Sequence, residues 1–316
     1  MASNVQDALG ELANFPLMEA LFGRRSRRFA LGDEIPDGPL AYKSQHDPLP
    51  LSELERALVL SAMGGTTGWH YGITRHARYA PHVSNYPNAA AGRTFPSAAG
   101  FHTAELFFTD DSGTYFFPTR DAGALVDPAT ERITPELMME RHVERFQRLS
   151  DQRIHLPPEE PYIEGHNTWC VNVPGSLLVI PIADIAQTAL SILCFFAQNG
   201  YCVYDDVNDQ RIPGIDEFSD LVDVEEPFPL TFAEQYALTE ATAELATCCY
   251  AGVLTLQAMG LGGWMFDGVD HRSSSSYRNP RPGTSGSPEA PSIVKRSIPS
   301  NIQPPRPIAW SVRTPA

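Results

Sequence analysis

Glu105-Leu106-Phe107-Phe108-Thr109-Asp110-Asp111-Ser112-Gly113-Thr114-Tyr115-Phe116-Phe117 is the stretch that decides the fold class. Two runs rich in aromatic side chains, Glu105 to Thr109 and Thr114 to Phe117, flank Asp110 to Gly113. Aromatic and β-branched residues favour pleated backbone, while Asp, Ser and Gly supply turn conformations. The pattern predicts a β-hairpin, and hence an antiparallel sheet.

Working outward, helix signals lie on both sides. Ser52 and Glu55 have capping-box spacing and predict a helix to Met63, stopped by Gly64-Gly65. Thr134-Pro135 places a cap and a first-turn proline ahead of a helix from Glu136 to about Ser150. Asp184 can cap a helix through Phe196, closed by Asn199-Gly200. Thr231 and Glu234 repeat the box spacing before a helix to Met259, ending at Gly260. Its body, Ala241 to Leu256, is apolar on nearly every face, which predicts burial all round, at a domain centre or a subunit contact. Leu177 to Ile182 reads as a buried strand and Tyr201 to Tyr204 as another. Helices, a hairpin, then strands alternating with helices give an α+β class.

The chain of 316 residues carries a formal charge of −15, with 42% hydrophobic and 19% charged residues. It can bury a sizeable core, and its charge disfavours nucleic acid as a partner. Character changes at about Gly268: from there to Ala316 stand nine prolines, seven basic and two acidic residues, a local +5. The rest therefore carries −20, since −15 minus +5 is −20. Such a tail, with Ser273 to Ser276 and Pro304-Pro305-Arg306-Pro307, reads as disordered. The division expected is a segment over 1–17, a domain over 18–267 and a tail over 268–316.

Five cysteines without a CxxC pair suit a reducing compartment. The N-terminal residues lack the apolar core of a secretory signal, and Leu177 to Ala183 is too short to span a bilayer. These readings point to a cytoplasmic protein without a membrane partner. Several chemistries find no motif. Gly64-Gly65-Thr66-Thr67-Gly68 lacks the Gly-Lys-Ser/Thr ending of a phosphate loop and reads as a flexible connector. Asp205-Asp206-Val207-Asn208-Asp209 lacks the glycine and glutamate of an EF-hand and reads as a solvated turn. His142-Val143-Glu144 has no PCxxC partner, no zincin spacing occurs, and no Gly-x-Ser-x-Gly elbow is present. No metal ligand set is expected, and no catalytic residue is assigned.

Three segments remain. Arg24-Arg25-Ser26-Arg27-Arg28-Phe29 sets four guanidiniums and a hydroxyl in an acidic chain. Guanidinium forks match phosphate oxygens two at a time. Gly92-Arg93-Thr94-Phe95-Pro96-Ser97-Ala98-Ala99-Gly100 is a small-residue loop in which backbone and Ser97 could meet a flat ligand. Gly260-Leu261-Gly262-Gly263-Trp264 carries more glycine than a helix cap requires.

In this order and at these separations, the three segments resemble the nitroreductase family of FMN-dependent oxidoreductases, over roughly residues 18 to 267. The likeness is nearer to the branch with azoline-oxidising, peptide-maturing dehydrogenases. Arg24-Arg25-Ser26-x-Arg28 resembles that family's phosphate-gripping motif. Arg93-Thr94-Phe95-Pro96-Ser97 with Glu105-Leu106-Phe107 resembles its RTxPS…EL[YF] segment. The helix ending in Gly260-Leu261-Gly262 resembles its C-terminal GLG signature.

The resemblance implies a nitroreductase-like sandwich, a central antiparallel sheet flanked by helices, with a long buried helix near the C-terminus. It also implies a homodimer with FMN at the subunit contact. Arg24, Ser26 and Arg28 would then neutralise the FMN phosphate, with Arg25 reaching the ribityl or ring edge. Pro96 and Ser97 would contact the ring, and Gly260, Leu261 and Gly262 would pack against phosphate or ring from the partner side. NAD(P)H would be the electron donor and a small organic or peptide-derived molecule the substrate, in ping-pong order. Thr66-Thr67-Gly68-Trp69 stands where the family has an Asn-x-Gln-Pro-Trp-like loop. Two other classes stay open: a non-catalytic FMN-binding or flavin-storage protein, and an anion-binding interaction protein.

Overall fold

The computed structural model describes residues 2–69, 91–97, 102–120, 125, 130–132, 134–159, 162–266 and 268. Of residues 2–5, 68, 69 and 91 only the backbone is described. The elements are α1 (Ala2–Ala13), α2 (Leu17–Gly23), β1 (Glu34–Ile35), β2 (Tyr42–Lys43), α3 (Glu53–Gly64), β3 (Thr66–Trp69), β4 (Ala91–Arg93), β5 (Ala104–Asp110) and β6 (Gly113–Phe117). They continue with α4 (Pro135–Val143), β7 (Gln147–Ser150), β8 (Leu178–Ala183), α5 (Ile185–Gln198), β9 (Tyr201–Asp205), β10 (Gln210–Arg211), β11 (Asp223–Pro229) and α6 (Leu230–Ala258).

The hairpin forms where its sequence predicts it, with Phe107 opposite Phe116 and Phe108 opposite Tyr115. Gly113 sits at φ +145° in the turn, with no room for a Cβ beside the Ser150 carbonyl. Arg56 on α3 ties the turn down through Asp110, at 2.8 Å, and Ser112, at 3.0 Å. The hairpin anchors a four-stranded sheet in the order β7-β6-β5-β8, antiparallel throughout. Its inner face sends Ala104, Leu106, Phe108 and Phe117 against Val59, Leu60 and Met63 of α3 and Cys248 of α6. That sheet-and-helix layer is the main core, and the chain is α+β.

Locally encoded features follow the sequence. Ser52 Oγ accepts from Glu55 N at 3.2 Å and the Glu55 carboxylate accepts from Ser52 N at 2.7 Å, a closed capping box. Asp184 caps α5 and Thr134 caps α4. Asp205 accepts from Val207 N, Asn208 N and Asn208 Nδ2, so the acidic run around it is a turn held by its own side chain.

Five expectations are corrected. The helix begun at Pro135 ends at Val143 instead of near Ser150, because Phe146 turns inward against Phe108 and Phe117, each ring 5.0 Å away. Residues Gln147–Ser150 become the edge strand β7. Thr66–Trp69 is no loose connector but strand β3, paired antiparallel with β4. The strand β8 lies at a sheet edge and is half-buried.

Finally, α6 starts at Leu230 without a cap from its own side chains. Asp206 supplies it from the β9–β10 turn, accepting from Thr231 N at 3.0 Å and from the Thr231 hydroxyl. The helix is also buried on one stripe, not all round: Ala233, Ala237, Ala241, Glu244, Cys248 and Gly252 face inward. Phe232, Tyr236, Leu238 and Tyr250 are exposed. Among the described residues, no helix is long and apolar enough to cross a membrane. Ala98 to Gly100 and the tail beyond Gly268 lie outside the described residues.

Candidate functional site

The chain leaves α2 at Gly23 and runs extended past the end of α6. Arg25 N donates to Gln257 Oε1 at 3.3 Å, and Arg27 Nη1 donates to Gly260 O at 2.8 Å. Gly262 admits this approach: a Cβ there would stand 2.8 Å from Arg27 O. Gly260 itself takes φ +74°, closing the helix in the left-handed conformation. Two of the sequence-nominated segments, Arg24 to Arg28 and Gly260 to Gly262, therefore meet within one chain.

Aromatic rings fix the far side of the arginine segment. Phe29 stacks on Trp169 at 5.0 Å, Trp169 lies parallel to Trp264 at 6.5 Å, and the Arg28 guanidinium sits 5.9 Å from the Trp264 ring centre. Arg24 is half-buried, whereas Arg25, Ser26, Arg27 and Arg28 are exposed. Arg27 and Arg25 spend hydrogen bonds on main-chain carbonyls: Gly260 for the first, Phe22 and Arg24 for the second. Among the described residues, no carboxylate pairs with any of the four guanidiniums. Unpaired positive charge of this kind, in an acidic protein, is chemically suited to an anion.

The third segment lies elsewhere. Thr94 Oγ1 donates to Ala62 O at 2.7 Å, Phe95 is buried, and Pro96 O accepts from Thr247 Oγ1 at 2.5 Å. Ser97 Oγ is buried and has no hydrogen-bond partner among the described residues. Thr247 precedes Gly260 by thirteen residues, about 20 Å of helix rise. Pro96 and Ser97 therefore stand well up α6 from Arg24 to Arg28. Arg93 is committed to structure, donating to Thr66 Oγ1 at 3.0 Å and Thr119 O at 2.7 Å. Burial lowers its pKa, against the opposing pull of Glu244 and Glu105.

Sequence reasoning missed Glu244. Its carboxylate accepts from Thr103 N at 3.0 Å, Thr103 Oγ1 at 3.1 Å and Ala104 N at 3.1 Å, with His102 Nδ1 3.5 Å away. With Thr247 one turn on, it pins both ends of the segment that contains Ser97. A lone carboxylate inside the apolar run Ala241 to Leu256 was the available signal. Asp33 and Trp169 were missed too. Asp33 is buried beside the arginine segment and accepts from Ala30 N at 2.6 Å; burial raises its pKa from the ordinary value, against the lowering effect of that hydrogen bond.

No protein-family model and no curated protein matches the chain. Among solved structures, it is similar to a protein from Ralstonia eutropha JMP134 provisionally assigned as a nitroreductase, with 13% identity and a TM-score of 0.38. The alignment covers 81% of this chain and 72% of that one.

Proposed function

We propose that the protein is an FMN-dependent oxidoreductase of nitroreductase type, working between NADH or NADPH and a small organic or peptide-derived substrate. The observation that carries this reading is the convergence of Arg24 to Arg28 with Gly260 to Gly262 at the end of α6. The sequence resemblance gives Arg24 to Arg28 as the phosphate grip and has Gly260 to Gly262 pack against phosphate or ring from the partner side, whereas here the two segments meet within one chain.

The residues present fit the phosphate end of FMN. Four guanidiniums without a carboxylate partner form a donor set for a dianion, and Gly262 removes the side chain that would push the segment away. Arg24, Ser26 and Arg28 would hold the phosphate, with Arg25 nearer the ribityl chain. Ser97 Oγ, buried and unpartnered, is a free donor for the polar edge of a planar ring. When bound, FMN supplies the hydride chemistry, in ping-pong order between donor and substrate. The chain's own part is to bind and orient.

Because the segment of Pro96 and Ser97 meets α6 at Thr247, roughly 15–20 Å of helix rise from where Arg25 and Arg27 meet its end, we propose a homodimer in which a second copy completes the site. Leu17, Met18, Leu21 and Phe22 of α2, all exposed, form an apolar face directly before the arginine segment. Light scattering should give twice the chain mass; a monomer that still retains FMN tells against the shared site. Five free thiols suit a reducing compartment such as the cytoplasm.

The decisive test is an absorption spectrum of the purified protein, followed by NADH or NADPH oxidation with menadione. A colourless preparation that cannot be reconstituted with FMN refutes the reading. Bound FMN that dithionite reduces but neither nicotinamide does would indicate a flavin carrier instead. That alternative draws support from strand β3, which occupies the place of the family's Asn-containing loop. Arg24→Ala is expected to weaken FMN retention by about 1.5–3 kcal/mol, roughly ten- to a hundredfold in dissociation constant. Fluorescence titration measures it, and an unchanged constant removes Arg24 from the site.

A further inference from the structure

At the opposite end of α6 from the arginines, a second feature has no place in the proposed reaction. Phe196, Tyr201, Phe228, Phe232 and Tyr236 form one continuous run of ring contacts. Phe196 lies 5.0 Å from Phe228 and 5.9 Å from Tyr201, Phe228 lies 5.6 Å from Phe232, and Phe232 lies 6.4 Å from Tyr236. Its innermost ring, Phe196, packs on the small core of Ile192, Ala233 and Ala237. Its outer rings do not: Tyr201 is 44% exposed, Phe232 45% and Tyr236 42%. Contact with that core explains Phe196, but not why Tyr201 and Phe232 stay 44% and 45% exposed.

The charge around the ridge is one-sided. From Tyr201 to Tyr236 the sequence holds ten acidic residues and one basic residue. Asp223 is paired in register with Tyr201 across β9 and β11, and Glu225 and Glu226 occupy the irregular stretch before Phe228. All three are exposed, as is Glu234, two residues beyond Phe232. The single cation, Arg211, is already engaged, donating to Val224 O and standing 3.6 Å from Asp216.

Ring faces carry negative quadrupole density and carboxylates carry formal charge, so both attract the same kind of group. An anionic or purely apolar partner would meet uncompensated repulsion or stranded carboxylates. We propose that this ridge is a docking surface for a basic segment of a partner polypeptide. Its arginine or lysine side chains would lie over Tyr201 and Phe232 and pair with Asp223, Glu225 and Glu226. The surface is independent of the flavin reading.

The test uses the full chain and a fluorescein-labelled synthetic peptide with arginines at alternate positions, followed by fluorescence anisotropy. Saturable binding is expected. The paired change Tyr201→Leu with Phe232→Leu, which keeps apolar volume but removes the rings, should weaken it about five- to thirtyfold, the range of one to two cation–π contacts. Neutralising Glu225→Gln and Glu226→Gln should weaken it by a comparable factor. Neutralising the distant, exposed Asp37→Asn and Glu53→Gln should leave it unchanged. Circular dichroism confirms that each variant is folded. Three outcomes overturn the proposal: no binding, equal weakening by the distant pair, or ring removal without effect. The first denies the surface, and the others reduce it to the general attraction of an acidic protein. Conversion of a dimer to a monomer by the ring variants would assign the ridge to a second copy instead, and also overturns it.

Discussion

Glu244→Ala is expected to cost about 3–5 kcal/mol of folding stability, a large effect for a single side chain. The carboxylate is 2% exposed and accepts three hydrogen bonds, two from backbone N–H groups of Thr103 and Ala104. Alanine would leave those donors dry and unpaired at the start of the central strand β5. Each such donor costs roughly 1–3 kcal/mol. Truncation also opens space inside the stripe by which α6 packs on the sheet. Glu244→Gln should cost less, because an amide oxygen can still accept from Thr103. Its NH2 group, however, would face the Ala104 N–H, donor against donor. Urea unfolding of the three proteins measures the series. Alanine within about 1 kcal/mol of the parent would mean that water or backbone movement satisfies Thr103 and Ala104, and would end the claim that Glu244 organises this junction.

Why the sequence disclosed some of this and hid the rest follows from where each partner comes from. The box at Ser52 and Glu55, the cap at Asp184 and the Asp110 to Gly113 turn are closed by residues two or three positions away. Their physics is complete within a short window. The end of α4 is decided by Phe146 entering a pocket made by β5 and β6, and the start of α6 by Asp206 from another turn. No local window contains those partners. The same holds for the candidate site. Four arginines near the start and a glycine run near the end could each be noticed. Their meeting, across a separation of 233 residues at the Arg27–Gly260 bond, could come only from resemblance or from the fold. Apolarity misled at α6: a helix apolar on every face shows one face to the core and the other to whatever covers it. Phe232, Tyr236 and Tyr250 are therefore legible as apolar but not as exposed.

Acid is expected to weaken the fold through His142. This side chain is 3% exposed, at the C-terminal end of α4, and its Nε2 accepts from Thr66 N at 3.1 Å. A ring that accepts at Nε2 must be neutral. Burial, with Arg145 and Arg93 nearby, lowers its pKa from the ordinary 6.5 to about 4. Above pH 6.5 the imidazole is neutral whether the chain is folded or not, and stability owes nothing to its titration. As pH falls below 6.5 the unfolded chain binds a proton that the folded chain refuses, so stability drops. The loss continues to about pH 4, where the folded ring also charges, and totals roughly 3 kcal/mol. Carboxylates titrate in part of this window, so the isolating measurement is a difference. His142→Gln keeps an acceptor for Thr66 N–H and removes the titration. Its own stability will be lower at pH 7 through imperfect packing. The gap between parent and variant should then shrink by roughly 3 kcal/mol between pH 6.5 and 4 in urea unfolding. A gap that stays constant over that range would show that His142 charges freely in the folded chain. The Thr66–His142 hydrogen bond, and with it the tie between β3 and α4, would then not exist in solution.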